Sequence, residues 1–75
     1  MIVRSIRTQG GQFVAEFDIG SGASAWPAGV EVRASGGRSF RVVWSSENAA
    51  EGGDAVQLAP VGGAPLAVGE DLVPA

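Results

Sequence analysis

The sequence predicts an all-β fold: a small antiparallel β-barrel of about six short strands that occupies residues 1–75 as a single domain. Three observations predict this fold. Glycine pairs divide the chain into short runs, apolar residues alternate with polar ones inside those runs, and no window has the spacing of a long amphipathic helix. Because an open sheet leaves its edge strands unpaired, we expect a sheet this small to close on itself.

The alternating runs between the glycines are the predicted strands. They cover, in order, residues 3–8, 13–19, 28–34, 38–44 and 55–59, with Leu72 and Val73 closing the sheet. Glycines supply the positive φ angles that tight turns require. The turns are predicted at Gly10-Gly11, Gly20 and Gly22, Gly36-Gly37, Gly52-Gly53 and Gly62-Gly63. The first strand is therefore expected to form a hairpin with the second, and the third with the fourth.

Alternation within the strands predicts which side chains enter the core. In the second, third and fourth strands the predicted inward residues are Phe13, Ala15, Phe17, Val30, Val32, Phe40, Val42 and Trp44. Trp44 is assigned to the core because it is in phase with Phe40 and Val42. After the fourth strand, residues 48–51 (Asn-Ala-Ala-Glu) are expected to form a single helical turn.

The composition argues against most catalytic chemistry. The chain has no Cys, His, Lys or Tyr, which excludes disulfides, thiolate or imidazole metal sites, Ser–His and Cys–His nucleophile pairs and lysine Schiff bases. Carboxylates such as Glu47, Glu51 and Asp54 are interpreted as turn and surface groups. We therefore expect a protein that is not an enzyme, needs no cofactor or metal and takes no small-molecule substrate.

The charge balance bears on the choice of partner. Five arginines against eight acidic residues give a net charge of −3 and a pI near 4.6. An acidic surface disfavours nucleic acid at long range, so a protein partner or self-association is expected instead. The longest uncharged run, residues 55–69, is too short and too interrupted by Pro60 and Pro65 to span a membrane. A soluble, cytoplasmic protein without membrane contact is expected.

Short glycine-based motifs follow one another in a fixed order along most of the chain. They are the glycine pair at residues 10–11, AGVEV at 28–32, GDAVQL at 53–58 and VGEDLV at 68–73. In each of the later motifs a glycine makes a turn and apolar alternation restarts at once. This order of motifs resembles the second, β-barrel domain of translational GTPases of the elongation factor Tu type.

The resemblance implies a fold and a class of role. In that family the barrel is a non-catalytic docking module that contacts the GTPase domain and, in elongation factors, the aminoacyl end of tRNA or the ribosome. The sequence departs from the family at Gln12 and Phe17, which replace glycines, and at Val30, which replaces an acid. It contains no G-x-x-x-x-G-K-[ST] motif for nucleotide binding. The segments that hold the tRNA-contacting residues in that family do not match this sequence, so the resemblance carries over none of those residues.

Trp26 is the first candidate for a binding surface. It lies beside Pro27 in the long loop between Gly20 and Gly29. An exposed loop tryptophan is a favoured anchor at protein interfaces. The alternative is that Trp26 fills one end of a small barrel whose core needs bulk.

The other candidates are three arginines, Arg33, Arg38 and Arg41, which lie around the predicted hairpin turn at Gly36-Gly37. Their planar guanidinium groups are suited to carboxylates or phosphates. The alternative is that they are solvated strand charges. In that case Arg33 and Arg41 are expected to pair across strands with Glu31, Glu16 or Asp18.

Two functions follow from these candidates. The leading hypothesis is a non-catalytic interaction module that resembles the translation-factor barrel and docks onto a protein partner or onto itself. The alternative is a small barrel that binds oligonucleotides or RNA, with the arginine patch contacting phosphates and an exposed Trp26 stacking on bases.

Overall fold

The chain folds as six antiparallel strands in the computed structural model, which describes residues 1–18, 20–34, 37–46, 53–61 and 65–74. Within these residues the elements are β1 (Ser5–Gln9), β2 (Gln12–Phe17), a 3-10 turn η1 (Ala23–Ala25), β3 (Glu31–Arg33), β4 (Ser39–Ser46), β5 (Asp54–Pro60) and β6 (Val73–Pro74). They form one sheet in the order β1-β2-β5-β4-β3-β6. The predicted all-β fold with antiparallel strands is confirmed. No helix in this described part of the chain has the length and apolar character needed to cross a bilayer.

The two edge strands of the sheet are joined by the residues that precede them. Ile2 forms an antiparallel bridge with Asp71. The backbone N–H of Val3 donates to the carbonyl oxygen of Glu70 at 2.9 Å, and the N–H of Gly69 donates to the carbonyl oxygen of Val3 at 2.8 Å. These bonds pair the chain ahead of β1 with the chain ahead of β6, so the sheet closes into a barrel, as expected for a sheet of this size.

Both predicted hairpins are present. In the first, Gly10 and Gly11 have φ angles of 57° and 82°, which suit the two-residue turn between β1 and β2. In the second, the N–H of Ala34 donates to the carbonyl oxygen of Arg38 at 2.9 Å, and Gly37 has a φ angle of 82°. Gly20 and Gly22 have the positive φ angles expected of turn glycines, 79° and 88°. The predicted turn and helix positions that lie outside the described residues are Gly36, residues 48–51, Gly52, and Gly62-Gly63.

The predicted alternation places the core correctly in most strands. Side chains with almost no exposed surface come from β2 to β5 and from the segments ahead of β1 and β6: Val3, Phe17, Val32, Phe40, Val42, Val56, Leu58 and Leu72. Phe13 packs edge-to-face on Phe40, with ring centroids 6.0 Å apart. Burial of these apolar side chains is the main favourable term in the folding free energy of a chain without disulfides.

Strand β4 contains a β-bulge at Val43, which changes its inward and outward phase. Val42 lies opposite Leu58, whereas Trp44 lies opposite Gln57, so one extra β4 residue is inserted between the two pairs. The prediction that Trp44 belongs to the core is therefore wrong. Its side chain lies on the outer face of the sheet, where the residue is 40% exposed.

The same phase change turns Ser45 inward, opposite the buried Val56. The Ser45 hydroxyl oxygen lies 2.9 Å from the carbonyl oxygens of both Ser24 and Trp26, so its single proton has two acceptors in the loop before β3. Trp26 is only 7% exposed and packs edge-to-face on Phe17 at 5.7 Å between centroids. The structure thus places Trp26 inside the barrel end, as the core alternative predicts, and not on the surface.

Asp54, at the start of β5, anchors the same loop. Its Oδ2 accepts hydrogen bonds from the backbone N–H of Ser24 at 3.1 Å and from the Ser21 hydroxyl at 3.3 Å. Because a buried carboxylate is costly without partners, these donors stabilise Asp54 in its buried position. The preceding Gly53 allows close approach of β2, since a Cβ at this position would clash with the carbonyl oxygen of Phe17.

The two tryptophans are expected to differ sharply in their contribution to stability. Trp26→Ala removes a buried aromatic side chain and is expected to lower the free energy of unfolding by about 3–5 kcal/mol. Trp44→Ala changes an outer-face residue and is expected to cost less than about 1 kcal/mol. Urea unfolding followed by circular dichroism measures both, and Trp26→Phe provides a milder core variant if Trp26→Ala does not fold. Equal losses for the two alanine variants would contradict the assigned positions.

Candidate interaction face

Arg38, one of the predicted surface arginines, is engaged in holding the barrel closed. Its Nη1 donates to Glu70 Oε1 at 2.8 Å and to the carbonyl oxygen of Pro65 at 2.9 Å, and its Nη2 pairs with the second carboxylate oxygen of Glu70. Glu70 Oε1 also accepts the backbone N–H of Ala67 at 3.2 Å. This bidentate pair ties the β3–β4 hairpin to the segment that closes the sheet.

Arg33 and Arg41 are separated from Arg38 and share the outer face of β3 and β4. Arg41 lies opposite Glu31, and Arg33 lies opposite Ser39. Both arginines are exposed, and neither forms an ion pair with a described residue. The pairing expected for them with Glu31, Glu16 or Asp18 is therefore absent among the described residues. Glu31 faces Arg41 in the register without reaching ion-pair distance.

Trp44 lies on the same outer face and is held there by a chain of side-chain hydrogen bonds. Its indole Nε1–H donates to Gln57 Oε1 on β5, and Gln57 Nε2 donates to Gln12 Oε1 on β2. The bond directs the Nε1 edge of the indole toward β5. On the neighbouring strand β2, Val14 lies opposite Gln57 on one side and opposite Arg7 on the other. Val14 is only 1% exposed, although its position in β2 is an outward one.

Exposed valines surround the two arginines. Val73 lies opposite Arg33 on β6, and the N–H of Val61 donates to the carbonyl oxygen of Ser39 at 2.9 Å, which continues the β4–β5 ladder past β5. Each of these valines is 49% exposed, and the bulged Val43 is 39% exposed. We call the surface formed by these outward side chains the Trp44 face; it consists of Trp44, Arg33, Arg41, Val43, Val61 and Val73.

The acidic side chains of the described residues are mostly engaged elsewhere. Those with hydrogen-bond or ion-pair partners away from the Trp44 face are Glu16, Asp18, Asp54, Glu70 and Asp71. For example, Asp18 pairs with Arg4 at 3.5 Å, and Glu16 accepts the Ser5 hydroxyl at 2.7 Å. Among described residues, Glu31 is the one acidic side chain of the β3 and β4 strands. The Trp44 face is therefore locally basic on a chain whose net charge is −3.

Comparisons of this chain with protein-family models, with curated proteins and with solved structures find no match. The assignment of a site therefore depends on the geometry. Of the four residues selected from the sequence, the structure brings Arg33 and Arg41 together on one face, places Arg38 in an ion pair and buries Trp26. Trp44 is a surface candidate that the alternation pattern did not predict, because the pattern assigns it to the core. Two adjacent valines, Val42 and Val43, are compatible with either phase of β4, so no local signal marks the bulge.

Arg38 and Arg41 are expected to respond differently to the same substitution. Arg38→Gln removes a half-buried bidentate pair and is expected to lower the free energy of unfolding by about 1–2 kcal/mol. Arg41→Gln removes an exposed guanidinium without an ion pair and is expected to change it by less than about 0.5 kcal/mol. Urea unfolding of both variants tests the assignment. A larger loss for Arg41→Gln than for Arg38→Gln would contradict it.

Proposed function

We propose that this protein is a non-catalytic docking module that binds a protein partner through the Trp44 face. The observation that carries the proposal is an exposed tryptophan, hydrogen-bonded to Gln57, on the same sheet surface as two arginines that form no ion pair with the residues the structure describes. Tryptophan and arginine are enriched among the residues that dominate binding energy at protein interfaces. Holding the indole in one orientation reduces the conformational entropy that is lost on binding.

The resemblance to the translation-factor barrel supports a docking role. Two glycines of the later motifs lie where the backbone requires glycine: Gly53 approaches the carbonyl oxygen of Phe17, and Gly69 has a φ angle of 91°. The absence of Cys, His, Lys and Tyr supports a role without catalysis. In this proposal the barrel works in the cytoplasm, as the barrel of translational GTPases does.

Oligonucleotide binding is the second candidate, and one observation favours it. Trp44 is an exposed aromatic residue on the outer face of the sheet, as base stacking requires, and Arg41 lies on the same strand. The sequence alone predicts Trp26 as the stacking residue. Because Trp26 is buried, Trp44 takes that role here. Phosphate contacts would make the affinity fall steeply with salt.

Affinity capture from the protein's own cells, with and without ribonuclease, tests the proposal. Wild-type protein is expected to retain a partner protein that resists ribonuclease. Trp44→Ala is expected to weaken its capture by about thirtyfold, the effect of losing one dominant interface residue. Val68→Ala, which shortens an exposed apolar side chain outside the Trp44 face, is the control and is expected to capture normally.

Circular dichroism of each purified variant verifies that it is folded. Equal capture by wild type and Trp44→Ala would refute the Trp44 face as the docking site. Loss of all partners on ribonuclease treatment would favour the oligonucleotide candidate.

A further inference from the structure

We propose that the Trp44 face binds an extended segment of a partner protein with acidic residues two positions apart, followed two positions later by an apolar residue. This inference rests on the proposed docking function and adds the chemistry of the partner. In the bound state the two carboxylates contact Arg33 and Arg41, and the apolar side chain packs on the indole of Trp44.

The charges of the described residues select an acidic partner. Arg33 and Arg41 are exposed and form no ion pair with any described residue, whereas Arg4 and Arg38 do. Glu31 lies opposite Arg41 at more than ion-pair distance and leaves the pair of arginines with a positive excess. A guanidinium group binds a carboxylate through two parallel hydrogen bonds, so each arginine has the geometry to bind one acidic side chain.

The spacing of the arginines selects an extended segment. Arg33 lies opposite Ser39, and Arg41 is two residues farther along β4, so the two form a diagonal cross-strand pair. Such pairs are about 7–8 Å apart. In an extended chain, residues two positions apart are on one side and separated by about 6.6 Å. Two carboxylates of the partner at this spacing can contact both arginines at once. The next partner residue on the same side of the segment then lies near Trp44, farther along β4.

The apolar residues of the face favour a protein over a nucleic acid. Binding is favoured when apolar side chains of a partner cover Val43, Val61 and Val73 and remove them from water. Neither phosphates nor sugar hydroxyls offer such a surface, and protein–nucleic acid interfaces are more polar and more basic than protein–protein interfaces.

A synthetic peptide tests this inference directly. The probe is Ser-Glu-Ser-Glu-Ser-Leu-Ser with blocked ends, titrated into isotope-labelled protein and followed by NMR. We expect saturable shifts of the Trp44 indole N–H and of the amides of β3 and β4, with affinity that falls as salt is added. The same peptide with Gln in place of both Glu residues is the control ligand, and we expect it to bind at least about fivefold more weakly.

Matched variants locate the charges that matter. Arg33→Gln and Arg41→Gln are each expected to weaken binding of the acidic peptide by up to about fivefold. Arg4→Gln removes the same charge from an arginine that pairs with Asp18, and it is expected to leave the affinity unchanged. Trp44→Ala is expected to abolish the part of the affinity that depends on the leucine, which a second peptide with Ser in place of Leu measures.

Several results would overturn the inference. They are no shift with the acidic peptide, equal affinity for the Gln peptide, an equal loss for Arg4→Gln and Arg41→Gln, or tighter Arg41-dependent binding of single-stranded oligo(dT). These failures are distinguishable from failure of the docking function itself. If Trp44→Ala still loses the captured partner while the acidic peptide does not bind, the docking face stands and the acidic chemistry is wrong.

Discussion

The β-bulge at Val43 is the constraint on which both the packing of the barrel and its outer face depend. With a strict period of two, β4 would direct Trp44 inward beside Val42 and Ser45 outward. The extra residue exchanges these positions. Ser45 then reaches the carbonyl groups of the loop that carries Trp26, and Trp44 reaches the outside of the sheet. One inserted residue thus supports the core at one barrel end and creates the exposed aromatic side chain of the Trp44 face.

A barrel of this size needs hydrogen bonds and ion pairs between distant segments in addition to its apolar core. A chain of 75 residues buries a smaller fraction of its surface than a larger domain does, so each contact that joins distant segments counts. Asp54 and Ser45 hold the loop of Trp26 from two neighbouring strands. Arg38 and Glu70 hold the closing segment against the β3–β4 hairpin. In both cases the groups bonded include backbone amides or carbonyls of loops, where no neighbouring strand supplies a partner.

These hydrogen bonds and ion pairs also explain how an acidic chain presents a basic face. The carboxylates of Asp54 and Glu70 are engaged in bonds within the barrel, and Asp18 is paired with Arg4. The charges of Glu70 and Asp18 are thereby compensated by Arg38 and Arg4, while Arg33 and Arg41 remain exposed on one sheet surface. The net charge of the chain is therefore a poor guide to the potential at the Trp44 face, because the distribution of partners, and not the total, determines the local field. An interaction with an acidic protein segment is consistent with that distribution.

The sequence by itself determined the strands, the hairpin turns and most of the core, because alternation and glycine turns are local properties that span a few residues. Phe17, Phe40 and Val42 are buried as their phase predicts. The tertiary structure alone decided the roles of the tryptophans and the arginines. Val43 is apolar and fits either face, so its bulge follows from the pairing of β4 with β5 and not from β4 itself. Likewise, Arg38 differs from Arg41 only because the closing of the barrel brings Glu70, which is distant in sequence, against its guanidinium group.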